Sequence, residues 1–200
     1  MMLREVRVSR NKNDAKGVGA SAKVHSSVVA NLWLSNGATS PLKGEGVIVP
    51  LFSIDAFCTN KADDHRLSHE LALSVKPHII AMLEECKARI AEQSLELENQ
   101  DEFSYLANVD VQDGITETYT LTISKGMSSH LTSLFLNLFV LQDRLQIKIH
   151  MLSKHGLVSK KSARKMSSDA LKALKACMDK IHVFCLQFHR NRKELISSVS

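Results

Sequence analysis

Three threonines at alternate positions form the chain's clearest candidate for specific hydrogen bonding. They are Thr118, Thr120 and Thr122, and each is followed by a large apolar residue, the last being Ile123. Alternate side chains of a β-strand point to opposite faces, so this pattern predicts a strand with three hydroxyls on one face and three apolar groups on the other. If two copies paired these strands across a two-fold axis, the threonine faces would form a ribbon that fits the major groove of DNA.

A second set of candidate binding residues follows Gly156. Ser159 is suited to cap a helix, and that helix begins with lysines and an arginine. Positive side chains oppose the dipole of a helix at its N-terminus, whereas a bound phosphate would remove the conflict, because the free N–H groups also point toward it. The alternative is that these cations are simply solvated at a small cost in stability. The candidate phosphate-binding residues are Lys125, Ser159, Lys160, Lys161, Arg164 and Lys165.

A catalytic or metal site is not expected. His65 and His69 stand four residues apart, a spacing that can direct two imidazoles at one metal ion on a helix. A third ligand is not evident, and Glu70 is misplaced for an HExxH site. The chain also has no GxSxG, P-loop, GxGxxG or CxxC motif. We therefore expect no enzyme activity, no metal and no cofactor, and a metal-dependent enzyme using the two histidines is the weakest alternative.

A second alternating segment runs from Lys23 to Leu34 and predicts a second strand. This strand could form the DNA-contacting ribbon in place of the threonine strand. Its polar candidates are Lys23, His25, Ser27 and Asn31.

The rest of the pattern is mainly helical. A helix is predicted after Asp63-Asp64, and Pro77 is expected to kink or split it. The segment from Leu131 to Leu141 is apolar over so broad a surface that it predicts deep burial, as in the core of a dimer. Gly156 is placed to end that helix in a left-handed cap. The predicted fold class is α+β, mostly α, with a strand-helix-helix unit, an additional N-terminal strand and long helices.

Charge is distributed unevenly along the 200 residues. Residues 142–200 contain 13 Lys and Arg against 4 Asp and Glu, and residues 1–23 contain 6 against 2, while the whole chain carries +5. Residues 24–141 are therefore acidic. Basic ends suit a polyanion, and an acidic middle suits self-association or a protein partner.

No secretory signal or membrane-spanning segment is recognised, so a cytoplasmic protein without membrane contact is expected. The cysteines form no CxxC pair and lie among apolar neighbours, which favours free buried thiols.

Four regions are predicted along the chain. Residues 1–22 form a disordered basic arm, and residues 23–114 contain the N-terminal strand and a long acidic helical region. Residues 115–195 form the strand-helix-helix unit, and residues 196–200 are a tail.

Two resemblances follow from these features. The threonine strand with its two following helices resembles a ribbon-helix-helix DNA-binding unit, which implies that the polar face of the strand enters the major groove. From about residue 24 to residue 188, the order of features resembles the AcaB-like transcriptional activators of conjugative plasmids and integrating conjugative elements. The residues that carry this second resemblance are Leu32-Trp33, Asp63-Asp64, Leu121, Asp143, Leu145, Ile149 and Gly156-Leu157.

These resemblances imply a homodimeric, sequence-specific regulator, an activator of conjugative transfer genes. Its expected partners are double-stranded promoter or operator DNA, a second copy of the chain, and RNA polymerase or other transcription factors. The alternative is a non-catalytic protein-interaction component of a conjugative element, in which the same helices bind a protein partner.

Overall fold

The computed structural model describes residues 19–34, 42–62, 65–104 and 117–198. Long helices predominate beside a small sheet of two strands, which confirms the predicted fold class. The strands are β1 (Ala20–Val24) and β2 (Tyr119–Ile123). The helices are α1 (Ser27–Trp33), α2 (Gly44–Thr59), α3 (Arg66–Glu98), α4 (Asp101–Ser104), α5 (His130–Lys154) and α6 (Lys160–Ser197).

The threonine strand is present, but its partner lies in the same chain. β1 and β2 pair antiparallel, with Ala20 opposite Ile123 and Val24 opposite Tyr119. The pairing of two threonine strands across a two-fold axis, considered from the sequence, is not what the structure shows, because β1 of the same chain already occupies one edge of β2. A complete two-stranded ribbon forms within one molecule.

The predicted strand from Lys23 to Leu34 is wrong beyond Val24, since α1 begins at Ser27. The carboxylate of Asp143 on α5 accepts backbone hydrogen bonds from His25 at 3.0 Å and from Ser26 at 2.7 Å. These bonds occupy donors that a continuing strand would need for its ladder. Alternation alone could not show this, because the acceptor lies far away in sequence.

Helices α3, α5 and α6 pack against one another, with α2 across them. Near the sheet, the ring of Trp33 meets that of Phe139 at 4.9 Å in an edge-to-face arrangement, and Phe135 lies 5.3 Å from Phe139. Gly44 at the start of α2 permits this packing, because a Cβ there would lie 2.7 Å from the Trp33 ring.

The apolar face of α5 is deeply buried, as predicted, and the cover comes from other helices of the same chain. Burial of α5 therefore does not require a dimer.

A buried carboxylate joins three of these helices. Asp55 of α2 lies 2.7 Å from the ammonium of Lys76 on α3 and accepts a 2.8 Å hydrogen bond from the backbone N–H of Leu131 on α5. Burial raises the pKa of Asp55, but the hydrogen bonds to Lys76 and Leu131 outweigh it, so the pKa lies below its usual value. Beside it, the side chain of Ser129 caps α5 in a capping box with Thr132.

Helices α5 and α6 form a long hairpin. Gly156 has φ +73° and ends α5, and the hydroxyl of Ser159 accepts a 3.0 Å hydrogen bond from the N–H of Ser162, so both predicted caps are confirmed. Gln146 of α5 fastens the two helices, because its amide donates to the Ser167 carbonyl at 3.1 Å and accepts from the Ser167 hydroxyl at 2.5 Å.

Several predicted boundaries shift. Residues 20–22, assigned to the disordered arm, belong to β1, and Ile196 and Ser197, assigned to the tail, belong to α6. Helix α3 continues through Pro77 and is not split there. Asp63-Asp64 and the predicted boundary at residue 114 lie outside the described residues, as does most of the predicted arm. None of the described helices combines the length and the apolar character needed to cross a membrane.

Candidate nucleic-acid interface

The outer face of the ribbon carries polar side chains from both strands. In the antiparallel register, Lys23 stands opposite Thr120 and Ser21 stands opposite Thr122, and all four are exposed. Directly opposed side chains have Cβ atoms about 4.5–5.5 Å apart, so these four form one compact patch. The opposite face is apolar and packs on the core. The two strands proposed as alternative DNA-contacting surfaces thus lie side by side in one ribbon.

At one end of the ribbon, the side chain of His25 contacts the segment that leads into β2. Its Nδ1 lies 3.3 Å from the carbonyl oxygen of Glu117 and 3.4 Å from the hydroxyl oxygen of Thr118. Thr118 is exposed and stands just before the first residue of β2. The Tyr119 hydroxyl donates to the Glu117 carboxylate, and this bond raises the pKa of Tyr119. Thr118 and His25 are therefore partly occupied by each other.

The opposite end of the ribbon turns at Lys125 and Gly126. Gly126 has φ +83°, a conformation that suits glycine, and Lys125 beside it is exposed. Gly19 of the neighbouring chain segment approaches closely, because a Cβ there would lie 3.2 Å from the Ile123 carbonyl oxygen. Lys125 therefore stands at the edge of the ribbon, next to the polar patch.

Two predicted contact residues do not belong to the ribbon. Ser27 and Asn31 lie on α1 instead of on a strand, because the chain turns at His25 and Ser26. Both are exposed, and the Asn31 carbonyl accepts a 2.6 Å hydrogen bond from Lys43. The alternative DNA-contacting residues therefore lie on different elements. Lys23 is on β1, His25 follows the end of β1, and Ser27 and Asn31 are on α1.

The basic start of α6 is exposed as expected. No salt bridge is formed by these cations within the described residues. The Ser159 oxygen accepts a hydrogen bond from the helix and so acts as a cap. The exposed residues here are Ser159, Lys160, Lys161, Arg164 and Lys165.

A cleft brings part of this basic set close to the ribbon. His25 and Glu117 at the ribbon end share its lining with Lys160 and Arg164 of α6. Lys161 and Lys165, by contrast, do not line it, and neither does Lys125. Sequence reasoning missed Lys175, which also lines the cleft. The sequence does indicate this position. Leu171 lies about two helical turns after Arg164, and Lys175 lies about one turn further on, so all three residues share one face of α6.

The histidine pair has a structural environment. His69 Nδ1 lies 3.0 Å from the carbonyl oxygen of Phe57, and the His65 ring meets the Phe57 ring edge-on at 6.2 Å. Among the described residues, no group of three or more His, Cys, Asp or Glu side chains could hold a metal ion.

The chain is similar in fold to a protein of known structure. No family model matches the chain, and no curated protein matches it. Among solved structures, it is similar to the crystal structure of selenomethionine-containing AcaB from uropathogenic E. coli. The two are 15% identical, the TM-score is 0.65, and the match covers 90% of this chain and 87% of that chain. At this level of identity the match establishes similarity of fold, and the chain therefore has an AcaB-like fold over nearly its whole length.

Proposed function

We propose that this protein is a sequence-specific DNA-binding regulator of conjugative transfer genes that contacts the major groove with the outer face of its β1–β2 ribbon. The observation that carries the proposal is the exposed patch on the paired strands, where Lys23 lies opposite Thr120. An AcaB-like fold supports the choice of regulator, because the sequence separately resembles AcaB-like activators.

The dimensions of the ribbon suit a groove. Paired strands lie about 4.8 Å apart, and the major groove is about 12 Å wide and admits a two-stranded ribbon. Lysine can donate to the O6 and N7 acceptors of guanine, and a threonine hydroxyl can donate or accept at any base edge. Lys23 and Thr120 would therefore contact bases, with Ser21 and Thr122 beside them.

The cations around the ribbon would bind phosphate. Lys125 flanks the ribbon at one end, and Lys160 and Arg164 stand across the cleft from its other end. Lys161 and Lys165, exposed on the same helix, would extend this basic surface along the backbone. Such contacts are independent of sequence and account for much of the salt dependence of binding.

We also propose a homodimer, because of the symmetry of operators and not because folding requires one. Regulators that bind palindromic operators place two copies on two half-sites. Since the ribbon is complete in one chain, each copy would contact one half-site.

A protein-interaction role is the second candidate. Val183 and Leu186 lie on α6 with 62% and 55% of their surface exposed. Large apolar groups one helical turn apart can form a contact surface for another protein.

The proposal is tested by fluorescence anisotropy with a duplex from upstream of the transfer genes and a random duplex of equal length. Thr120→Val removes the hydroxyl and keeps the side-chain shape, so it should weaken the specific duplex by about 1–3 kcal/mol and leave the random duplex nearly unchanged. Lys160→Ala should weaken both duplexes alike and lower the log-log salt slope by about 1.

Matched controls are Thr59→Val and Lys61→Ala, which alter exposed residues far from the ribbon in sequence. Binding that fails to distinguish the two duplexes in the parent protein would refute the proposal and favour the protein-interaction role. Specific binding that survives Thr120→Val and Lys23→Ala together would refute the ribbon as the contact surface.

A further inference from the structure

The cleft between α5 and α6 is large enough for a small molecule. It is an open cleft with a volume of about 740 Å³, and residues at the start of α1 contribute to its lining. Its lining includes apolar groups with accessible surface: Val28 is 45% exposed, and Ile147 is half-buried. Volumes of about 300–1,000 Å³ with mainly apolar walls are typical of ligand sites.

The charge in the cleft is mainly positive. Lys160, Arg164 and Lys175 reach it from one face of α6, and none of them forms a salt bridge within the described residues. Glu117 is the single carboxylate in the described lining, and it accepts a hydrogen bond from the Tyr119 hydroxyl. The cations therefore face a cavity with little internal compensation for their charge.

We infer that this cleft binds an amphipathic anion, a small molecule with an apolar body and a carboxylate or phosphate group. The apolar body would cover Val28 and Ile147, and the anionic group would meet Arg164 or Lys175. Inorganic phosphate alone would leave the apolar surface uncovered, and a metal cation would be repelled. A DNA backbone offers phosphates but little apolar surface to cover these side chains.

The position of the cleft connects it to the ribbon. Gln146 and Ser167, which line the cleft, are hydrogen-bonded to each other between α5 and α6. One helical turn before Gln146, Asp143 holds the backbone of His25 and Ser26, where the ribbon ends and α1 begins. A bound ligand would therefore contact the segment that orients the ribbon, and would lie beside Lys160 and Arg164. Its effect on DNA affinity rests on the proposed function, whereas its binding does not.

Three probes of the purified full-length protein separate the chemical requirements of the cleft. Octanoate has both an apolar chain and a carboxylate, octanol has the chain alone, and inorganic phosphate has the charge alone. Calorimetry at equal millimolar concentrations should show saturable binding of octanoate with one site per chain, and much weaker binding of the other two. Equal binding of phosphate would overturn the inference, as would equal binding of octanol.

Variants place the binding in the cleft. Arg164→Glu and Lys175→Glu should each weaken octanoate about tenfold or more, because an attractive charge becomes a repulsive one. Lys61→Glu, an equal change of charge at an exposed site outside the cleft, should leave binding unaltered. Ser168→Trp, at an exposed lining position, should block octanoate sterically while retaining the parent melting temperature. Unchanged octanoate binding in all three cleft variants would overturn the inference.

A final measurement separates the cleft from the proposed function. Saturating octanoate should lower the affinity for the specific duplex, because the octanoate carboxylate would lie next to Arg164, which is also proposed to bind a DNA phosphate. Octanoate binding in a protein that binds no DNA would refute the proposed function and leave the cleft site standing. If sedimentation shows that a second copy covers the cleft and excludes octanoate, the inference fails.

Discussion

Two regions of this molecule use polar side chains in opposite ways. Asp55 and Asp143 are buried to 6% and 3% exposure, and each accepts hydrogen bonds from groups that would otherwise lack partners. On the outer face of the ribbon, the side chains of Lys23 and Thr120 are exposed and take part in no hydrogen bond found among the described residues. The comparison indicates that the buried carboxylates hold the helices in place, whereas the ribbon's polar groups are available to a partner.

The largest effect that this comparison predicts is for Asp143→Ala. The change leaves the N–H groups of His25 and Ser26 without their acceptor, and hydrogen bonds to a charged group contribute about 1.5–3 kcal/mol each. We expect the free energy of unfolding in urea to fall by about 3 kcal/mol. Asp179→Ala, at an exposed position of α6, is the control and should change it by less than about 0.5 kcal/mol. Equal losses of unfolding free energy in Asp143→Ala and Asp179→Ala would contradict the stabilising role assigned to the buried Asp143 carboxylate.

A smaller loss is expected for Asp55→Asn, and it should depend on pH. The variant loses the ion pair with Lys76, whose side chain is 27% exposed and so keeps some hydration, and we expect a loss of about 2 kcal/mol at neutral pH. Because the pKa of Asp55 is lowered on folding, its contribution is fully present above the unfolded pKa of about 4 and is lost as the pH falls through the lower folded pKa.

The difference in unfolding free energy between the parent and Asp55→Asn should therefore shrink on acidification below about pH 4. Urea titrations at a series of pH values measure it. A difference that grows toward low pH would mean that the ionised Asp55 carboxylate destabilises the folded state relative to the protonated form.

Removal of a ribbon hydroxyl should scarcely affect stability. Thr120→Val keeps a β-branched side chain on an exposed strand position, so we expect the unfolding free energy to change by less than about 0.5 kcal/mol. Thermal and urea unfolding measure this change. Unchanged stability would show that a loss of DNA binding in Thr120→Val is not caused by a folding defect. A loss comparable to that of Asp55→Asn would show that the ribbon face is structural.

The smallest predicted effect has the opposite sign. Lys160 and Lys161 lie in the first turn of α6, where positive charge opposes the helix dipole. Replacing both by alanine should raise the unfolding free energy by a few tenths of a kcal/mol, with a smaller gain at high salt. Lys172→Ala, in the middle of the same helix, tests whether the gain is specific to the first turn. Destabilisation on removing the two lysines would assign them a role in holding the fold.

Local signals in the sequence predicted much of this architecture. β2, the turn at Gly156 and the cap at Ser159 each depend on residues within a few positions of one another. The switch from β1 to α1 could not be predicted in this way, because it depends on Asp143. The pairing of β2 with β1 could not be predicted either, because the two strands are far apart in the sequence. For the candidate site, sequence reasoning found the polar strand and the basic helix, but the cleft between them exists only through tertiary packing.

The pairing of β1 with β2 also affects the order in which the protein can fold during synthesis. Val24 leaves the ribosome early, whereas its partner Tyr119 emerges only after α1, α2 and α3. Contacts so distant along the chain form slowly, because a long loop must close first. We therefore expect β1 to stay unpaired on the nascent chain until β2 is made, and the proposed DNA-contacting face to be among the last parts of the molecule to assemble.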